Sequence, residues 1–164
     1  MSKAPTIITI PPNNNSIFRG LLTVAIALCS TAIAAQSISI DNGYVREVIP
    51  GNTITSAYMV INNNSAESIS LIGASAKVSP RVEIHAHSME EGMMKMRQLD
   101  SIEVKGKQSV ILQPMGFHLM MFDLAKPIKA GESIEMILNF SGGKEVKVAL
   151  PVKSIKQKKQ HHHH

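Results

Sequence analysis

The sequence predicts a single all-β domain, a Greek-key β-sandwich or barrel, and a few observations carry that expectation. Short runs rich in β-branched and apolar residues recur along the body of the chain. Clusters of Gly, Pro, Asn and Ser separate them. No stretch keeps a convincing helical period, so the strand reading has no competitor of comparable length.

In order, the runs are 37–41, 44–48, 55–61, 68–74, 81–87, 93–99, 109–112, 117–123, 133–140 and 145–150. Pro50-Gly51-Asn52 breaks the chain before the third run, and Asn62-Asn63-Asn64-Ser65 follows it. Glu91-Gly92, Pro114-Met115-Gly116, Lys129-Ala130-Gly131 and Ser141-Gly142-Gly143 punctuate the later ones. These residues favour turns because they tolerate positive φ, preset φ, or bond their own backbone. Many short strands at this spacing suit an antiparallel sandwich. Residues 36–152 number 117, enough for one core, with no repeat and no linker.

Alternation assigns faces within two of the runs. Over 81–87 the apolar positions are Val82, Ile84 and Ala86, which leaves Glu83, His85 and His87 together on the other face. Over 117–122, Phe117, Leu119 and Met121 fit the core. His118 and Met120 then project together, about 7 Å apart along the strand. Residues 85–96 read as a hairpin turning at Glu90-Glu91, with Gly92 free to take a positive φ. That register sets His85 opposite Met96 and His87 opposite Met94. It also sends Lys95 and Arg97 to the core face, a conflict that a bulge near Gly92 or an exposed strand end would relieve.

The ends of the chain differ from its body. Residues 1–35 carry Lys3 and Arg19 as their only charges, then the apolar run Gly20–Leu28, then small residues up to Ala35. That order describes a cleaved secretory signal peptide, and the run is short for a spanning helix. Cleavage is expected after Ala35, with Ala34 as the alternative and an uncleaved anchor as the competing reading. The single cysteine, Cys29, lies inside this leader. Leu28 precedes it, where lipoprotein processing normally takes a small residue, so no lipid anchor is expected. The mature chain then contains no thiol and no disulfide, despite an oxidising destination. Residues 153–164 form a basic tail ending in His161–His164, expected to be disordered and able to hold Cu(II) or Zn(II) weakly. The four terminal histidines suit either a natural precursor or a truncated purification tag.

Charge follows the same division. Of 17 Lys and Arg, Lys3, Arg19, Lys153, Lys156, Lys158 and Lys159 lie at the ends, while all 12 acidic residues lie between 36 and 152. The body is therefore close to neutral and lacks a basic, aromatic-rich surface, which excludes nucleic-acid binding.

What distinguishes the body is its soft donors. Outside the terminal tract every histidine lies between His85 and Met121, with seven of the ten methionines. Imidazole and thioether suit soft or borderline metals, above all reduced copper. Glu83, Glu90 and Glu91 do not make a calcium-type cage. Taken singly, each methionine reads as core filler and each histidine as a satisfied surface residue. The set, with the paired spacing of His118 and Met120, reads as a metal site.

His85, ten residues, Met96, twenty-one residues, then His118-Leu119-Met120 resembles the H-x10-M-x21-H-x-M signature of the PCuAC-type periplasmic copper chaperones. Residues 56–62, 82–85, 92–97 and 116–121 are similar to family segments, as is the end from Leu124-Ala125-Lys126-Pro127 to 134–140. The resemblance implies a cupredoxin-like β-sandwich binding one Cu(I) through His85, Met96, His118 and Met120. It implies delivery to a recipient protein, a cytochrome c oxidase subunit or a thioredoxin-like Sco protein, during copper-centre assembly. His87, Met89, Met93, Met94 and Met121 are not part of the signature. His87 and Met94 are candidates for a supporting or transfer role.

Other classes fit less well. A blue-copper electron carrier needs a thiolate, and the mature chain has none. An oxygenase built on an N-terminal histidine does not suit a chain starting at Gln36. An adhesive β-sandwich accounts for the fold but leaves the four-residue spacing to chance. Sequestration of copper uses the same chemistry with another destination. The expectation is a periplasmic carrier and not an enzyme.

Overall fold

A computed structural model describes residues 37–154, Glu91 excepted, and these lie in one compact unit. The expected leader 1–35, Cys29 and the terminal histidines lie outside the described residues. The strands are β1 (Ile38–Arg46), β2 (Thr55–Asn63), β3 (Ile69–Ala76), β4 (Arg81–Glu90), β5 (Met93–Leu99), β6 (Ile102–Val104), β7 (Ser109–Leu112), β8 (Phe117–Phe122), β9 (Ser133–Phe140) and β10 (Lys144–Lys153). One 3-10 turn, Ser141–Gly143, links the last two. The all-β expectation holds throughout.

Two of the expected runs, 37–41 and 44–48, form the single strand β1. A bulge between Asp41 and Tyr44 lets the chain pass Asn42-Gly43 without leaving its ladder with β2. Asn42 takes φ 52° there, a conformation its short polar side chain tolerates. Strand β6 has no counterpart among the expected runs. It is three residues long, with Ile102 and Val104 buried and Glu103 outward, too short to show a period.

The strand order is β5-β4-β8-β7-β2-β1-β10-β9-β3-β6. Two ladders, antiparallel except where β7 runs parallel to β8 at Leu112↔Phe117, meet where β1 runs parallel to β10, at Val45↔Val152 and Arg46↔Lys153. Both ladders feed one apolar core. Val45, Met59, Ile61, Leu119 and Met121 come from the first, and Leu71, Val104, Met136, Leu138 and Phe140 from the second. The chain is thus a sandwich, and each strand over the core has one face left to spend on something other than packing.

Strands β4 and β8 lie side by side near the end of the first ladder, with β5 at its edge. Leu119 and Met121 are fully buried, as alternation requires, but Phe117 is 37% exposed. Phe117 was expected in the core; it stands at the start of β8, opposite Ala86, where the core has run out. Strand β5 goes further: Met93 to Gln98 are all exposed. The β4–β5 hairpin overhangs the sandwich, and this removes the conflict over Lys95 and Arg97. Both stand free of the core and pair with Glu90, Lys95 at 3.5 Å and Arg97 in close contact.

Candidate metal centre

Alternation carries the four candidate side chains to one face, the face away from the core. In β4 this face holds Glu83, His85, His87 and Met89; in β8 it holds His118, Met120 and Phe122. His85 stands directly opposite His118, and Glu83 opposite Met120. The two imidazole rings are 5.9 Å apart, centre to centre. Met120 also touches β2, where the Ser56 hydroxyl lies 3.9 Å from its sulfur.

The fourth candidate is placed differently from expectation. His87 faces Met96, Met89 faces Met94, and His85 faces Gln98. The hairpin pairing is offset by two residues from the expected one, because the chain turns between Glu90 and Met93. Gly92, at φ 76°, lies inside that connection, where a tight hairpin demands a positive φ. An offset of two preserves parity, so Met96 stays on the same face as His85. It is now a diagonal neighbour of His85, and diagonal pairs about 7–8 Å apart remain within reach of a long side chain. Met94 faces Met89 instead of His87.

Hydrogen bonds fix the state of two imidazoles. A Glu83 carboxylate oxygen lies 2.8 Å from His85 Nε2. A carboxylate only accepts, so Nε2 carries the proton and donates it. Nδ1 of His85 is buried and without a partner, and it is the nitrogen that carries the lone pair in the neutral ring. His118 Nδ1 lies 3.0 Å from the Gly116 carbonyl and donates to it, which leaves the lone pair of His118 on Nε2. Burial holds His118 below the ordinary histidine range, the Gly116 bond opposing, so the ring is neutral near pH 7. Glu83 is held below the usual carboxylate range, first by its bond to His85 and then by Arg81, 2.6 Å away. The carboxylate is therefore a fixed acceptor that orients His85, an arrangement metal-binding histidines commonly use.

The imidazoles are also more enclosed than an outer sheet face suggests. His118 is 2% exposed and His85 9%. Tyr58 lies 6.3 Å from His118, Phe122 lies 6.0 Å from His85, and Tyr44 packs on Tyr58 at 5.2 Å. Arg81 then caps Phe122 at 4.0 Å. Aromatic neighbours from β2 and β8 thus cover the two rings, while Met96 remains 49% exposed. Sequence reasoning missed Glu83 as an orienting group and the aromatic roof. An acid two residues before a histidine on one strand was the available signal for the first.

His87 joins the cluster without belonging to the spacing motif. Its ring stacks on His118 at 5.0 Å, its backbone N–H donates to Gly116, and its own Nδ1 is buried without a partner. Among the described residues no three His, Cys, Asp or Glu converge as a metal-binding group. A centre here has to draw on methionine sulfur. The donor set suits a soft ion: neutral imidazole nitrogens with free lone pairs, thioethers beside them, and the one nearby carboxylate already engaged.

Residues 38–152 match the LpqE-like family, whose description names lipoproteins. A protein of Leifsonia xyli subsp. xyli named as a lipoprotein, Lxx21020, is 26% identical over 143 residues, spanning 84% of this chain and 85% of that one. Among solved structures, the copper-bound PCuAC domain from PmoF2 is similar at 25% identity and TM-score 0.63, over 74% of this chain and 96% of that one. The Cu(I) form of DR1885 from Deinococcus radiodurans is similar at 27% identity and TM-score 0.58, over 73% and 81%.

Proposed function

Because this chain belongs to the LpqE-like family, with the cupredoxin-like fold of PCuAC-type copper chaperones, we propose that it carries one Cu(I) as cargo and hands it to a recipient protein. His85, Met96, His118 and Met120 hold the ion. The observation that bears most on this reading is the buried lone pair of His85 Nδ1, left without a partner while Glu83 fixes the opposite nitrogen. Leaving such an atom unsatisfied costs about 1–3 kcal/mol, and a bound cation removes that cost. His118 offers Nε2 from the opposite strand in the neutral form a metal needs.

Each residue then has a defined task. His85 and His118 supply nitrogen from fixed tautomers within the aromatic roof. Met120 closes the inner side, where Ser56 positions its thioether. Met96 supplies sulfur from the exposed edge strand, so it is the donor an incoming acceptor meets first. Release proceeds by exchange: each bond from copper to His85, His118, Met120 or Met96 breaks as an incoming donor bonds to the ion. Copper stays Cu(I), all four ligands are neutral, and no covalent bond of the protein changes. The protein is a carrier in this reading and not a catalyst.

Export to the periplasm, through the signal pattern of residues 1–35, agrees with the lipoprotein names of the relatives. No helix among the described residues is long and apolar enough to cross a membrane. A cytochrome c oxidase subunit or a Sco-like protein is the recipient the family resemblance suggests. Weak Cu(II) capture belongs to the terminal histidines.

Competition against a chromophoric Cu(I) chelator, without oxygen, tests the reading. One tight equivalent is expected, bound far more strongly than Cu(II), without a thiolate-to-copper visible band and released to an acceptor without net oxidation. Replacing His85, Met96, His118 and Met120 together should abolish it. Unchanged affinity in that variant, or reversible cycling between both copper states with metal retained, overturns the proposal.

A further inference from the structure

The overhanging hairpin carries more thioethers than the inner centre uses. Met89 and Met94 stand directly opposite one another, and the next pair inward on the same face is His87 and Met96. Opposed residues have Cβ atoms about 5 Å apart, so the three sulfurs can meet above the hairpin. Met89 is 66% exposed and Met94 45%, and neither packs in the core. Side chains this apolar gain nothing from such positions if their task is packing.

The reverse face of the hairpin has a different composition. Glu90 pairs there with Lys95 and Arg97, and Ser88 donates to Glu90 at 3.2 Å. The hairpin is thus two-sided, with a charged, cross-linked back and a front of three thioethers and one imidazole. Among the described residues its front bears no carboxylate, and it offers three neutral sulfurs to a soft cation. Met93 lies on the back, opposite Glu90, and takes no part.

We propose that Met89, Met94 and Met96 form a second, weaker Cu(I) station at the tip of the hairpin. This rests on the reading of the inner centre as a Cu(I) site and assigns the route by which its cargo enters and leaves. Met96 belongs to both stations. His87, stacked on His118 and opposite Met96, lies between them. In the outward step the Met94 and Met89 sulfurs bond to copper as the bonds to Met120 and the two inner imidazoles break, with Met96 attached throughout. The ion remains Cu(I), every donor is neutral, and no proton or electron moves. The outer station is weaker because it is open to water and lacks oriented imidazole, which is what a point of transfer requires.

The full chain, labelled with carbon-13 in its methionine methyl groups, provides the test by anaerobic titration with Cu(I). The first equivalent should shift the Met96 and Met120 signals. Further Cu(I), added in excess of what the terminal histidines take, should shift Met89 and Met94 and move the Met96 signal a second time. A Met89→Leu/Met94→Leu double variant, close in volume at exposed positions, should keep the affinity of the first equivalent. It should lose the later shift of Met96 and release Cu(I) to the chelator several-fold more slowly. Unmoved Met89 and Met94 signals in excess Cu(I), or wild-type release from the double variant, overturns the outer station while leaving the inner one standing. Absence of any shift at Met96 and Met120 overturns both.

Discussion

Neighbouring methionines on β8 separate scaffold from ligand. Met121 is fully buried in the core, while Met120 lies on the opposite face beside Ser56. Truncating a fully buried methionine to alanine costs about 2–5 kcal/mol. At roughly 4 °C per kcal/mol for a domain of this size, Met121→Ala should lower the melting temperature by roughly 8–20 °C. Met120→Ala removes a half-buried side chain and should cost about 1 kcal/mol. Leucine variants then isolate the metal, because Met→Leu swaps preserve volume and cost under about 1.5 kcal/mol. With free Cu(I) at about 100 times Kd, binding adds about 2.7 kcal/mol of stability, roughly 10 °C. Met121→Leu should keep that gain in full. If Met120→Leu weakens the site tenfold, the gain at the same free Cu(I) falls by about 1.4 kcal/mol, or roughly 5 °C. Thermal melts with and without buffered Cu(I) measure both terms. Exchanged behaviour of the two leucine variants would place the wrong parity of β8 on the metal, and the ligand assignment would fall with it.

Glu83→Gln should preserve the fold, since the Arg81 contact it weakens is half exposed and such pairs contribute little. It should lower Cu(I) affinity by about 10–100-fold by releasing the tautomer of His85; nitrogen-15 NMR of the ring reads the tautomer and chelator competition the affinity. Deleting His161–His164 should leave the tight Cu(I) equivalent unchanged and reduce weak Cu(II) uptake, read by Cu(II) titration; loss of the tight equivalent would move a ligand into the tail. Mass spectrometry of exported protein should find a soluble chain starting at Gln36 or Ala35. A diacylated Cys29 would overturn the expectation drawn from Leu28.

Whatever depends on strand parity was legible in the sequence. The alternation of Val82, Ile84 and Ala86 placed Glu83, His85 and His87 on one face, and Leu119 with Met121 placed His118 and Met120 beside them. The hairpin register was not legible at the same level. Two pairings that differ by two residues present the same faces, so hydrophobic pattern cannot choose between them; only the position of Gly92 in the turn could. Enclosure was hidden for another reason. Tyr58 and Phe122 reach His118 and His85 only after β2, β4 and β8 are assembled, and no local window contains that arrangement. Phe117 shows the converse error, an apolar residue in correct alternation on a strand that begins beyond the core. The short β6 carries too few residues for any period.

The separation between buried nitrogen and exposed sulfur is what suits this face to carrying a metal. A centre enclosed on all sides binds tightly but gives an acceptor no donor to displace, and an open one loses its ion to any competing ligand. Here the two imidazoles are oriented in advance, so as ligands of the proposed centre they would bind an ion with little loss of side-chain freedom. Met94 and Met96 lie on an edge strand that has left the core, cross-linked behind by Glu90 and open in front. Exposure separates the imidazoles, His118 at 2% and His85 at 9%, from the hairpin thioethers, Met94 at 45%, Met96 at 49% and Met89 at 66%. In the proposed carrier, an acceptor approaching from the hairpin tip would meet the exposed thioethers before the buried imidazoles. Moving Met96 inward, or covering the hairpin with a core of its own, would raise affinity and slow release together. The overhang of β5, which no packing argument requires, is the structural feature that keeps those two quantities apart.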